Sequence, residues 1–550
     1  RIAAGDGGRA VVVWVERGPE SGGLSHDQLC SAVLDPGTTT FEAPQPVDLD
    51  VGPADYVSPD VSMNANGTAY MVYRDLVATP TAGNSNGIAI PAGDALVNVK
   101  LARFNGWTWS KLDQPVNRNT SATVRFPSAQ NAPKIFTFAG GGAIVAFQEP
   151  DASFVSRIWA RRVFSATLGP PLQVSPSTYG GAPLRGDADA IAVSGDRGNG
   201  AVVAYRQSPG NPSNLDRARI MVDRIPDTSD LDNPASTFLP PVIADTLPAG
   251  DGSAPGPPSV SMNLFLNYTV TFGQGSVAQR AGLDSAGNVS LTPFGDWSDS
   301  APAGPFTALA DDGSTTSAVV TDSGIRVDES ATGASALASL PGGGAFDDVK
   351  FASGNTGDAV VEAEQSVGAD AKVMLLAVES PPSVFQVNVP TGWVRGKSPG
   401  LTWVRTLDDP GTIKYRIDVD GRTFATTAGT QVVFGRRIKD GRHLVQVTAI
   451  DIFGQSTAQQ PFAYDVDRVA PKVHVRVRGR SVRVTVTDCR RNRCSGIAKT
   501  SRVRWGDGAV SKLRRGAATH EFAHSRSTTI WVTARDRAGN RRTLKQHLTF

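Results

Sequence analysis

The segment His520-Glu521-Phe522-Ala523-His524 has the residue types and spacing of a zinc-hydrolase pattern, two histidines to hold the metal and a glutamate to activate a bound water. That chemistry requires a helix, because only helical i, i+4 spacing puts both imidazoles on one side. The residues that follow, Thr528-Thr529-Ile530-Trp531-Val532-Thr533, favour a strand, so the sequence predicts an extended, metal-free segment. A zinc site would also need a further ligand, for which His474, Cys489 and Cys494 are the obvious sources. The two cysteines lack the second Cys-x-x-Cys pair of a structural zinc site and read instead as a disulfide. Closing so short a loop stabilises by roughly 2 kcal/mol on the chain-entropy account. Cys30 has no partner left and reads as a small buried residue.

Paired carboxylates are the other chemistry to consider, since two of them flanking a sugar bond suffice for glycoside cleavage. Asp60, Asp75, Glu149, Asp151, Asp187, Asp189 and Glu362 fall at strand or loop positions, but no set recurs with a distinctive partner. They read as solvated surface acids, and no catalytic residue is assigned. Asp418-Val419-Asp420-Gly421 has the opening of a calcium loop without the rest of one, and a hairpin turn at Asp420-Gly421 accounts for it. Asn-x-Ser/Thr sequons stand at Asn66, Asn119, Asn267 and Asn288. No cofactor is implied.

Charge is unevenly spread. Residues 469–550 hold 20 Lys and Arg against 4 Asp and Glu, a formal +16, whereas residues 1–379 hold 23 against 40, a formal −17. Arg476, Arg478, Arg480 and Arg483 alternate along one predicted strand, a row suited to a polyanion or an acidic surface such as the first half of the chain. The alternative is a solvated basic face that serves solubility or packing.

The elements that position these groups are announced by a repeat. Pro59-Asp60-Val61-Ser62-Met63-Asn64 returns as Pro258-Ser259-Val260-Ser261-Met262-Asn263, followed in most copies by a Gly/Asn turn and an apolar run. Such runs begin at Ala10, Ala69, Ala143, Ala201, Leu266, Ser317 and Asp358, and each follows a short extended segment. Strand-turn-strand repeats of roughly 40–75 residues indicate a β-propeller. Seven openings predict seven blades over residues 1–380, the last completed by residues 383–389 or by a segment preceding residue 1. The 57 glycines and 37 prolines suit many turns, and no sustained 3.6-residue period argues for helices, so the fold class is all-β. No apolar run approaches the roughly 20 residues that span a bilayer. The cysteine pair suits an oxidising compartment, which points to an extracellular or cell-surface setting and to a leader already removed.

Beyond Ser380-Pro381-Pro382 the composition changes. Tyr415-Arg416-Ile417-Asp418-Val419 and Gly441-Arg442-His443-Leu444-Val445-Gln446-Val447-Thr448-Ala449-Ile450-Asp451 resemble a bacterial immunoglobulin-like or fibronectin type III-like sandwich, spanning 381–468. Trp505-Gly506-Asp507-Gly508 with Ile530-Trp531-Val532-Thr533-Ala534-Arg535-Asp536-Arg537-Ala538-Gly539-Asn540 resembles a polycystic-kidney-disease (PKD) domain, here 469–550. That resemblance implies a β-sandwich of the kind common in extracellular proteins and carries over no catalytic residue. Sialidase propellers bear Asp boxes, of which Asp311-Asp312-Gly313-Ser314-Thr315 and Asn105-Gly106-Trp107-Thr108-Trp109 are degenerate echoes.

The sequence therefore leads to a non-catalytic adhesion or interaction protein whose propeller loops take a protein or glycan ligand, with the sandwiches as spacer or attachment. An extracellular glycoside-processing enzyme of sialidase-like type and a subunit of a surface assembly are the alternatives.

Overall fold

The computed structural model describes the chain apart from residues 6–8, 18–26, 37, 39, 48–54, 79–82, 86–87, 91–95, 119–131, 154, 197–198, 211–214, 227–236, 246–253, 264, 285, 299–303, 311–312, 322–323, 330–333, 339–345, 354–358, 368–369, 379–380, 397–398, 407–412, 452–453, 490–493 and 525–526. The described residues form strands, turns and loops, with no helix among them. No described helix is therefore long and apolar enough to cross a membrane. The chain divides into two units, Arg1–Ser380 and Pro381–Phe550.

The first unit is a β-propeller. Seven successive antiparallel sheets of three to five strands follow one another along the chain, with two small hairpins between strands. Their first strands are Ile2–Ala4, Asp55–Met63, Lys134–Thr137, Ala188–Gly195, Ser259–Met262, Phe306–Leu309 and Phe346–Ser353. Each of the first six packs against the first strand of the following sheet.

The second strands explain the unbroken apolar runs. Ala69, Met71 and Tyr73 join a core shared with the sheet before, and Tyr70 and Val72 one shared with the sheet after. Ala201, Val203 and Tyr205 against Val202 and Ala204 divide in the same way. Side chains alternate, but both faces are dry, so period 2 disappears from the hydrophobicity.

The repeated phrase fastens one sheet to the next. Ser62 Oγ accepts a hydrogen bond from the Thr137 amide at 2.9 Å, and Ser261 Oγ accepts one from the Leu309 amide at 2.9 Å. Ser194 does the same for Met262 at 3.2 Å. Asn64 Oδ1 accepts the Asn66 and Thr68 amides of its own turn, while its Nδ2 donates to the Phe138 carbonyl 3.4 Å away in the next sheet. Asn263 repeats the arrangement with Phe265, Asn267 and the Ala310 carbonyl. Valine and methionine fill the core between these polar positions, Val61, Met63, Val260 and Met262 all being buried.

The second unit contains β-sandwich cores. Trp403, Tyr415, Phe434 and Tyr464 centre one, and Val484, Trp505, Ile530 and Val532 the other. Residues 383–389 do not complete the propeller: Val387–Asn388 pairs with Gly400–Trp403, because the neighbouring Phe385 is buried in the first sandwich core. The Asp420-Gly421 turn is a hairpin with φ of 52° and 76°, the signs a two-residue connection requires.

Candidate functional site

Four of the first unit's sheets bring charge to one place. Arg1 precedes the first strand of the first sheet, Asp60 lies in the first strand of the second and Lys134 opens that of the third. Lys350 lies in the first strand of the last sheet, paired in register with Glu362 on the strand beside it. Asp60 Oδ1 stands 3.8 Å from Arg1 Nε and 3.7 Å from Lys134 Nζ, while its Oδ2 accepts the Ile135 amide at 3.0 Å. Burial lowers the Lys134 pKa; Asp60 opposes that, and the charges of Arg1 and Lys350 add to it. Arg1 and Lys134 thus flank Asp60, and Lys350, with Glu362 beside it in register, is near enough for its charge to bear on Lys134, inside an otherwise acidic unit. The cations suit a carboxylate or sulfate, and Lys134, Asp60 and Glu362 are the groups able to move a proton there.

The remaining acids singled out from the sequence are scattered. Asp75 pairs with Lys100 at 2.5 Å, and Glu149 accepts the Arg118 amide at 2.8 Å. Asp151 is drawn below the usual carboxylate range against its partial burial by Arg157 at 2.9 Å and by the Ser153 and Val155 amides. Asp187 accepts the Ser156 amide, and Asp189 holds Arg206 by two bonds of 2.8 Å. Asp75, Glu149, Asp151 and Asp189 are structural pairs, half-buried or buried, and not the solvated surface acids the sequence suggests, whereas Asp187 is exposed as expected. Arg1, Lys134 and Lys350 were not legible as site residues. Their only signal is a charge at an inner-strand position, as in Val349-Lys350-Phe351.

Asn105 Oδ1 accepts the Trp107 and Thr108 amides at 2.9 and 3.0 Å, and the Trp109 indole donates to Ser31. The Asn105–Trp109 echo is thus a turn-closing device, and Asp284 closes its own turn in the same way through Ala286 and Asn288. Asp311 and Asp312 lie outside the described residues.

In the second unit, His520 and Glu521 end the strand Ala517–Glu521 and the chain bends at Ala523 and His524, so the His-Glu-x-x-His segment has no helical face. His520 Nε2 meets Asp507 at 2.6 Å and its ring stacks on Trp505 at 5.0 Å. Cys489 and Cys494 are joined in a disulfide, and Cys30 is buried beside Glu16. Arg476, Arg478, Arg480 and Arg483 are exposed, but they do not share one strand. Arg476 and Arg478 lie on Lys472–Arg478, the chain reverses at Gly479 with φ 54°, and Arg483 faces Arg476 from Ser481–Thr487. Arg480 in the turn donates to the Ala523 carbonyl. The carboxylates able to hold a metal are elsewhere: Asp467, Asp488 and Asp536 each bring an oxygen within 4.8 Å of the others. Ser495, Gly496 and Asn540 donate hydrogen bonds to them.

No family model and no curated protein matches the sequence. Among solved structures, the chain is similar to an α-L-arabinanase of Penicillium chrysogenum complexed with arabinobiose, at 12% identity over 58% of this chain and 93% of that one, TM-score 0.37. It is similar to a leech intramolecular trans-sialidase at 10% identity over 68% and 67%, TM-score 0.34. Fibronectin(III)-like modules of CbhA from Clostridium thermocellum are similar at 14% over 30% and 93%, TM-score 0.19. These findings go against the expectation of a non-catalytic adhesion protein and of a chain that is not an enzyme: the first two structures are named as an α-L-arabinanase and a trans-sialidase.

Proposed function

We propose that the propeller is an extracellular enzyme that processes an acidic glycan at the cluster of Arg1, Asp60, Lys134, Lys350 and Glu362. The observation that supports this reading is the convergence of three cations and two carboxylates from sheets at opposite ends of the propeller sequence. The cations hold an anionic substituent of the sugar in place, Lys134 gives its proton to the glycosidic oxygen as the bond to the anomeric carbon breaks, and a carboxylate, Asp60 or Glu362, takes a proton from the water that adds to that carbon. In this reading residues 1–380 make seven blades, 381–468 a fibronectin type III-like sandwich and 469–550 a PKD-like one.

The test is incubation of the full chain with polygalacturonate, alginate and sialyllactose, following new reducing ends and released acidic sugar. Product formation that falls at least a hundredfold in Lys134→Met and Asp60→Asn, with unfolding transitions retained, is expected. Absence of product from every acidic glycan, or turnover indifferent to both substitutions, overturns the proposal.

A further inference from the structure

We infer that the outward face of the second sheet in residues 469–550 binds an acidic polysaccharide chain, with Trp531 stacking on a sugar ring. The inference goes beyond the propeller reading and does not depend on it. The sheet consists of Arg502–Arg504, Val510–Lys512, Thr528–Arg535 and Arg541–Leu548. Val503, Ile530, Val532, Ala534 and Leu548 turn inward and are buried. Alternation then puts the intervening residues on the other face. Arg504, Trp531 and Lys545 form one row across three strands, Arg502, Thr533 and Thr543 the next, and Arg535 and Arg541 the third.

This face has cations and no acid. The four acidic residues of the region lie elsewhere: Asp488 and Asp536 meet Asp467, Asp507 holds His520, and Glu521 is on the opposite sheet. Among the described residues, no ion pair engages Arg502, Arg504, Lys512, Arg535, Arg541 or Lys545. Trp531 is 40% exposed, an unusual placement for so large an apolar ring, and Lys545 Nζ stands 6.0 Å from its centre.

The arrangement selects its occupant. Row members about 4.8 Å apart across strands, in rows about 6.8 Å apart along them, offer charge to a polymer with regularly spaced anions. A single-stranded nucleic acid is held by successive bases on several aromatics, and this face has one indole, its other ring being His547, which is bonded to Thr529. One ring flanked by Arg504 and Lys545 suits a sugar that presents its apolar face to the indole and its carboxylates to the cations.

The test is affinity electrophoresis of the full chain in gels containing polygalacturonate, with dextran and a single-stranded DNA oligomer in parallel. Retardation by polygalacturonate alone is expected, falling on the order of tenfold in Trp531→Ala and in the Arg504→Ser/Lys545→Ser pair, and falling again as salt rises. Trp531→Phe should restore most of it. Lys134→Met separates this face from the propeller cluster: retardation lost there and kept in Trp531→Ala overturns the inference. So does preference for DNA, or unchanged retardation in the Trp531 and Arg504/Lys545 variants with their thermal transitions intact.

Discussion

Cations in the propeller and in the last sandwich are used in opposite ways. In the propeller they sit against acids: Arg9 with Asp35, Arg157 with Asp151, Arg206 with Asp189, Arg219 with Asp245 and Arg280 with Asp328, all at 2.8–3.0 Å and mostly out of water. Among the described residues of 469–550, the ion pair is His520 with Asp507, although 20 Lys and Arg are present there. Where acids are in excess, these cations are drawn into holding the fold, the cluster of Arg1, Lys134 and Lys350 apart. Where cations are in excess, the surplus stays in solvent and is available for recognition. Net charge alone does not reveal which, since near-neutral totals and strong local fields can coexist.

Removing a paired acid is the most direct way to break this contrast. Asp245 is fully buried, accepts from Arg219 Nε at 3.0 Å and from the Ile220 amide, and has Arg217 at 3.7 Å. Asp245→Ala should cost about 3–5 kcal/mol, because it leaves charge enclosed without its counterpart. Denaturant midpoints measure it, and a loss below about 1 kcal/mol would show that these pairs do not hold the propeller together.

A smaller loss is expected from the polar fastening between sheets. Asn64→Ala strips two turn amides and the Phe138 and Ala139 carbonyls of their partner, Asn263→Ala strips two turn amides and the Ala310 carbonyl, and each should cost roughly 1–3 kcal/mol. The two losses should be similar, since both asparagines accept two amides of their own turn and donate to the next sheet. A loss at Asn64 with none at Asn263 would mean that the repeated phrase marks a local turn and not a link between sheets.

The buried pair of Asp223 and Tyr205, 2.8 Å apart, gives the contrast a pH signature. Burial raises the Asp223 pKa well above its ordinary value, against the Tyr205 hydrogen bond, so the folded state holds a proton that the unfolded state releases. Its contribution is complete below the unfolded carboxylate pKa and is lost as pH rises toward the folded one. The stability of Asp223→Asn relative to the native chain should therefore increase from pH 4 to pH 7 in urea titrations. A difference independent of pH would place an ionised carboxylate in that core.

The contrast also sets what could be read from the sequence. The strand openings and apolar runs were legible because burial on both faces of every sheet leaves a long hydrophobic record. The seven openings at Ile2, Val61, Ile135, Ile191, Val260, Thr307 and Val349 all fall within first strands. The central cluster was not legible, because Arg1, Lys134 and Lys350 are separated by more than a hundred residues and meet only when the sheets arrange around a centre. In the Gly/Asn turn before the run that begins at Ala201, the positive φ belongs to Asn199, at 74°. The Arg476–Arg483 row was split because Gly479 reverses the chain, a turn that a Gly between β-favouring residues signals only weakly.

Charge reversal in the last sandwich should have the smallest effect on stability and sharpens the comparison most. Arg476, Arg478 and Arg483 are exposed on the sheet of Lys472–Arg478, Ser481–Thr487 and Ala517–Glu521, with no described acid paired to them. Replacing all three with glutamate should shift the melting temperature by no more than about 2 °C, because the native conformation asks nothing of their charge. Their distance from Trp531, on the opposite sheet, leaves them to act on a bound polyanion only through a screened field. Retardation by polygalacturonate should then fall severalfold at low salt and hardly at all at high salt, whereas loss of Trp531 should weaken it at both. Equal losses from the two faces at every salt concentration would mean that the domain attracts polyanions by bulk charge alone. A melting temperature lowered by as much as in Asp245→Ala would mean that these arginines, like those of the propeller, are part of what holds the fold.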